Sequence, residues 1–384
     1  MQHRPLVPLV TLLTVSVLAA CGGSPTAGGP AAGGPAAGQT SDRESSDLAT
    51  SAKETYDRMN GLSGQERTDE LVRCAEEEGA LNVYTSNTDM DDLVDAFGDQ
   101  YDVDVNVYRA GSETVLQRIL QEDQAGYYGA DIFETNALEL GVASQEGLLY
   151  PYQSELREQV REEGRQSEDW TATRFNSFVV GWNIDKVKPG EEPKSIEELA
   201  EPQWKGRVSM ELGDVDWFTA LHDYYVEKGM SEEQFTDLMT RLASNSQIAK
   251  GHTTQGELLS AGQFDVAVSS YSHTIDKAAD GGAPVSYRPA NGQPVQPIVV
   301  RPNGIGLVKT ATNPCAATLF VDFELTGGQE VFRENFRVGS IPSGAEDPLN
   351  GLEVYPVPEQ KLLDDPDTWN KAYEDVVSNG QSLE

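Results

Sequence analysis

Leu81-Asn-Val-Tyr84, the polar loop Thr85-Ser-Asn-Thr-Asp89 and a following segment with Leu93, Val94, Ala96 and Phe97 form the stretch whose reading decides the fold. An apolar run, a short polar turn and an apolar period of three to four residues read as strand, loop and helix. The same grammar recurs at once. Val103 to Tyr108 alternates like a strand, Ala110-Gly-Ser112 turns, and Val115, Leu116, Ile119 and Leu120 mark a helix face. Asp131-Ile-Phe133, Glu134-Thr-Asn136 and Ala137 to Gln145 make a third copy, closed by Gly147. Strands alternating with helices of this length predict parallel pairing in an α/β sheet. In such sheets the loops at the carboxyl ends of strands line one rim, where helix N-termini offer unpaired N–H groups. Ser, Thr, Asn and Asp in those loops serve equally as helix caps and as contacts for an oxygen-rich ligand.

Working outward, the N-terminus carries His3 and Arg4, then an apolar run from Leu6 to Leu18, then Leu18-Ala-Ala-Cys21. That pattern predicts an export signal over residues 1–20, too short to span a membrane. It resembles the bacterial lipobox, in which Cys21 becomes the lipid-bearing first residue. Gly22 to Thr40 repeats Ala-Gly-Gly-Pro, and Ser41 to Ser51 is polar. Residues 21–62 are therefore expected to form a flexible tether, with the globular body starting near Ser63. The formal charge of −35, from 63 acidic against 28 basic residues, excludes nucleic acid and anionic lipid as direct partners. The remaining length suits two α/β lobes rather than one core. Cys74 and Cys315 are an even pair in an exported chain, open to a disulfide or to two buried thiols.

Beyond the first lobe, Phe178-Val-Val-Gly-Trp182 is a continuous apolar strand, suited to a crossing between lobes, and the Pro-rich stretch Pro289 to Pro302 suits a second. Between them the unit restarts. Val208 to Met210 is strand, Gly213-Asp-Val-Asp216 is loop, Trp217 to Lys228 is helix, and Phe264 to Val268 ends in Ser269-Ser-Tyr-Ser-His273. Gly304-Ile-Gly306 is too short for a dinucleotide fingerprint and opens no helix. No Gly-x-Ser-x-Gly elbow, P-loop or His-Glu-x-x-His occurs, and none of the four histidines has a paired metal spacing.

Tyr84-Thr-Ser-Asn, Val107-Tyr-Arg-Ala-Gly-Ser-Glu-Thr-Val-Leu-Gln-Arg118, Ala130-Asp-Ile-Phe-Glu-Thr-Asn136, Trp204-Lys-Gly-Arg-Val208 and Asn313-Pro-Cys-Ala-Ala-Thr-Leu-Phe-Val-Asp-Phe323 together resemble the family 1 extracellular solute-binding proteins of ABC importers. The likeness is greatest to the ferric-iron-binding branch. It implies a type II periplasmic-binding-protein fold, with lobe 1 at 63–177 and 292–345, lobe 2 at 178–291 and 346–384, and a ligand cleft between them. It also implies a monomeric receptor delivering its solute to permease subunits, with no cofactor.

Ferric binders of that branch present a His after the first strand, a Glu in the third loop and a Tyr-Tyr pair after the last second-lobe strand. Here those positions read Thr88, Asn136 and Tyr271-Ser272, so Tyr271 alone matches as a metal ligand. Ser86, Asn87, Gly111, Ser112, Thr135 and Asn136, with helix N-termini, suit instead a phosphate, phosphonate or carboxylate. Ser270 and His273 share the Tyr271 loop. Glu134, Asp214, Asp216 and an aromatic wall at Trp217 would suit a polyamine-like cation. The Ser, His and Asp residues of the rim leave an enzyme on the same fold as the alternative of another class.

Overall fold

Apolar periods of two and of three to four residues alternate along the chain, and the elements follow them. The structure, a computed structural model, describes residues 37–381. The first half runs α1 (Ala37–Asn60), α2 (Gly64–Glu78), β1 (Ala80–Thr85), α3 (Met90–Gly98), β2 (Asp104–Arg109), α4 (Ser112–Ala125), β3 (Ile132–Asn136), α5 (Ala137–Gln145), β4 (Leu149–Tyr150) and β5 (Trp170–Asn183). The second unit comprises α6 (Ile196–Leu199), β6 (Val208–Glu211), α7 (Val215–Glu227), α8 (Glu232–Ser244), β7 (Ser246–Ala249), α9 (His252–Ser260), β8 (Val266–Tyr271), α10 (Ser272–Asp280) and β9 (Val285–Ser286). The return consists of β10 (Ile298–Val308), α11 (Pro314–Glu324), α12 (Gly328–Glu334), β11 (Val338–Gly339), β12 (Val354–Pro356), α13 (Glu359–Asp364) and α14 (Pro366–Gln381).

The main sheet has the order β2-β1-β3-β10-β5-β8-β6-β7. Pairing is parallel within each outer group, β2-β1-β3 and β8-β6-β7. β10 runs antiparallel to both β3 and β5, and β5 runs antiparallel to β8. The two long strands β5 and β10 are thus the crossings, and both are buried along their whole length. They approach closely where the register shifts between Asn303 and Gly304. A Cβ on Gly304 would lie 2.5 Å from the Thr171 carbonyl oxygen, so the residue has a packing reason.

Two apolar cores flank this seam. The first gathers Leu71, Val83, Phe97, Ile132, Phe133 and Phe320, and the second gathers Phe178, Met210, Trp217, Phe235, Leu238 and Tyr373. This is the two-lobed type II periplasmic-binding-protein fold. Cys74 on α2 and Cys315 at the start of α11 are joined in a disulfide, with Cα atoms 5.7 Å apart, so the bridged reading of that pair holds.

The tether expected over 21–62 needs correction in its second half. Residues 37–60 are helical, and Ala52, Tyr56 and Met59 are fully buried against the first lobe. Leu48, Ala52, Tyr56 and Met59 recur at helical spacing, a period that the polar residues between them obscure. The Tyr56 hydroxyl donates to the Val308 carbonyl at 3.0 Å, and its ring stacks on Tyr150 at 5.0 Å. The signal segment and Cys21 lie outside the described residues. Among the described residues no helix is long and apolar enough to cross a membrane.

Candidate functional site

The carboxyl ends of the first-lobe strands face the second lobe across the seam. A cavity of about 440 Å³ lies there. Ser112 at the start of α4 and Asn136 at the end of β3 line it from the first lobe, with Glu139 on α5. Gly213, Val215 and Asp216, in the loop after β6 and the first turn of α7, line it from the second, and Leu362, Pro366 and Asn370 of the C-terminal helices close one side.

Arg301 on the crossing strand β10 reaches into this cavity from the seam. Its guanidinium pairs with Asp216 and donates to the Tyr271 hydroxyl at 2.6 Å. Burial opposes its charge, but Tyr271 and Asp216 outweigh that and raise its pKa. Two buried polar atoms at the cavity have no partner: Arg301 Nε and Glu139 Oε2. Burial raises the Glu139 pKa, with Arg301 opposing. A third, Asn303 Oδ1, sits just behind, while Asn303 Nδ2 donates to Asn136 Oδ1 at 2.6 Å.

The seam continues past Tyr271. Its ring centroid lies 3.8 Å from that of His252, 5.2 Å from Phe178 and 5.4 Å from His273. Burial raises the Tyr271 pKa, against the pull of Arg301. Arg337, following α12, pairs with Asp89, donates to Thr88 Oγ1 at 2.7 Å and lies 3.3 Å from His273 Nδ1. Burial, then the Arg337 and Arg174 cations, hold His273 well below the usual imidazole value, so its ring is neutral.

Several expected contacts are consumed within the first lobe. Glu134 is fully buried and ion-paired with Arg174, while Thr85 donates to it at 2.6 Å and Asn87 at 3.2 Å. Asn87 is therefore a brace of the loop. Ser86 and Thr135 bond each other at 2.9 Å. Gly111 precedes α4 with an ordinary φ of −64° and nothing near its absent Cβ, so the fold sets no demand for glycine there. On the second lobe Ser270 donates to Gln255 at 3.2 Å. Trp217 is 3% exposed in the second core, so the aromatic wall expected of it is not at the cleft. Asp214 is 1% exposed and 2.9 Å from His252.

Of the expected set, Ser112, Asn136 and Asp216 share the cavity with Arg301, and Thr88, Tyr271 and His273 line the adjoining seam. Sequence reasoning missed Arg301, Arg337, Arg174, Glu139 and His252. For Arg301 a signal existed: a lone cation in the apolar run Ile298-Val-Val-Arg301 of a crossing strand is costly unless used.

Residues 131–367 match the model of the bacterial extracellular solute-binding protein family, which is more than half of the chain. The chain is 28% identical over 272 residues to Iron uptake protein A1 of Synechocystis sp., covering 67% of this chain and 74% of that protein. Iron-bound HitA from Pseudomonas aeruginosa superposes with a TM-score of 0.61 at 20% identity, covering 79% of this chain and 99% of HitA. The periplasmic binding protein AfuA from Actinobacillus pleuropneumoniae, with fructose-6-phosphate bound, gives 0.63 at 21% identity, covering 78% and 99%. With two lobes, two crossing strands and a polar cavity on their seam, the chain belongs to the bacterial extracellular solute-binding protein family, whose members serve ABC importers.

Proposed function

We propose that this chain is a monomeric receptor, lipid-anchored through Cys21 to the outer face of the cell membrane, that closes on a small oxygen-rich anion and hands it to an ABC permease. The observation that carries this reading is the cavity of about 440 Å³ where Arg301 Nε is buried without a partner. An unpaired buried donor on a cation is costly, and a phosphate, phosphonate or carboxylate oxygen would satisfy it. Glu139 and Asn136 at the same wall suit the hydroxyls of a polyhydroxylated acid or sugar phosphate. The polyamine alternative loses two expected contacts, because Glu134 is spent on Arg174 and Trp217 on the core.

A second reading, ferric iron or a ferric chelate, is favoured by the Tyr271 phenol on the seam and by the names of the relatives that the chain resembles. Against naked iron, Tyr271 already accepts from Arg301, and Thr88 and Asn136 offer no anionic oxygen.

A thermal-shift screen of sugar phosphates, phosphonates, citrate, ferric citrate and ferric ion separates the two, since a solute that binds the folded state raises the melting temperature by mass action. An anion is expected to stabilise the protein without iron. Arg301→Gln should weaken it roughly 10- to 100-fold, the loss of one charge-assisted hydrogen bond. Stabilisation by ferric ion alone, with a visible band that Tyr271→Phe removes, would overturn the anion reading.

A further inference from the structure

The parallel strands β6 and β7 end side by side, with Glu211 opposite Ala249. Asp214 stands at the N-cap of α7 and His252 opens α9, so two neighbouring strand-to-helix turns converge. One ligating atom each from Glu211, Asp214 and His252 lies within 4.8 Å of the others. Glu211 and Asp214 are 7% and 1% exposed, and among the described residues no Lys or Arg pairs with either. Two buried carboxylates without a cation are costly. Asp214 makes no capping bond, and its Oδ2 is buried without a partner, as is His252 Nδ1. The Glu211 carboxylate is already oriented by backbone N–H groups, from Gly251 at 2.7 Å and from Gly213. Gly251 reaches that position at a φ of +87°, in the region that favours glycine.

We propose that Glu211, Asp214 and His252 form a cation site for a divalent first-row transition ion, of the class Mn²⁺, Fe²⁺ or Zn²⁺. Two carboxylates and an imidazole match that class, and Mg²⁺ would favour oxygen donors throughout. His252 Nε2 lies 2.9 Å from Asp214 Oδ1, and the orphaned Asp214 Oδ2, in a pair of buried carboxylates with no Lys or Arg partner among the described residues, is what the ion satisfies. Three protein ligands leave its further positions to water or to a solute oxygen. The site does not depend on which solute the cleft takes and does not use the Tyr271 phenol, although the Tyr271 ring lies against His252.

The test strips the mature protein with chelator, adds Mn²⁺, Zn²⁺ or Mg²⁺ singly, and measures retained metal by mass spectrometry after desalting, with Co²⁺ as an absorption probe. About one equivalent of Zn²⁺ or Mn²⁺ is expected, with Mg²⁺ retained far less. Asp214→Asn and His252→Gln should each weaken binding by about 100-fold, and Tyr271→Phe should leave it intact. Absence of stoichiometric uptake, uptake unchanged in both ligand variants, or loss in Tyr271→Phe would overturn the site. Should Asp214→Asn fail to fold, His252→Gln and the wild-type Co²⁺ spectrum decide, a spectrum without nitrogen ligation counting against. Anion binding in metal-free protein tests the solute reading separately.

Discussion

Glu134 lies in the middle of β3, near the rim where a ligand contact would be expected, yet its oxygens accept from Arg174, Thr85 and Asn87. Glu134→Gln keeps the shape and strands the Arg174 charge at 2% exposure. Urea unfolding should show a loss of about 3–5 kcal/mol, while a loss below about 1 kcal/mol would mean that the pair is not structural. Glu359, at the start of α13, tells a different story. Burial pushes its carboxyl from 4.5 up to about 8, and its Oε1 has no partner. Between those values the folded chain keeps a proton that the unfolded chain has lost. The stabilising contribution is thus fully present below 4.5 and is lost as the pH rises to 8. Glu359→Gln should flatten the fall in unfolding free energy between about pH 5 and about pH 8 by about 1–2 kcal/mol, a value discounted for the partial exposure of Glu359 to solvent. A parallel pH profile in the variant would contradict the raised carboxyl. Neither environment is visible in sequence. Glu134 sits in a polar loop pattern and Glu359 in an ordinary helix start, and only the seam between elements removes water from them.

Elements were more legible than their contacts. The three opening strand-loop-helix units stand where the periodicity placed them, because alternation and helical spacing are local consequences of burying one face. The crossing at Phe178 proves to be the middle of a 14-residue strand, since buried polar residues such as Arg174 and Asn176 broke the apolar run that sequence could follow. α1 was illegible for another reason: its apolar face is four residues set among charges, and its partner surface comes from α11 and β4, far along the chain. Tyr56→Ala should cost about 3–5 kcal/mol through the emptied volume and the lost bond to Val308. An unchanged denaturation midpoint would mean that α1 is undocked in solution. The disulfide between α2 and α11 spans 241 residues of sequence. The Cys74→Ala, Cys315→Ala double variant should lose about 3–5 kcal/mol, read by thermal unfolding against the oxidised wild type, and a variant as stable as that wild type would mean that the bridge is not structural.

At the scale of the molecule, the contacts that α10 makes across the seam are weak, which suits the opening and closing of the lobes proposed above. α10 of the second lobe carries His273 and Lys277. His273 meets Arg337 at 3.3 Å, and Lys277 lies 3.6 Å from Asp89 and 3.2 Å from Asn335. Lys277 is 60% exposed, so its ion pair is worth at most about 1 kcal/mol, and the neutral His273 contact is of similar size. On the proposed reading, a solute touching both Arg301 and the first-lobe rim would supply more than these latches together and would set the closed population. The double variant His273→Ala, Lys277→Ala leaves the Arg337 pair with Asp89 intact and removes the contacts of α10 across the seam, together with the stacking of His273 on Tyr271. A loss of about 1–2 kcal/mol lowers the closed-to-open ratio roughly 5- to 30-fold. Small-angle scattering should then show a larger radius for the solute-free variant, and saturating solute should restore the compact form at a correspondingly weaker apparent affinity. If radius and affinity both match wild type, these contacts do not govern closure and the hinge strands β5 and β10 hold the lobes by themselves.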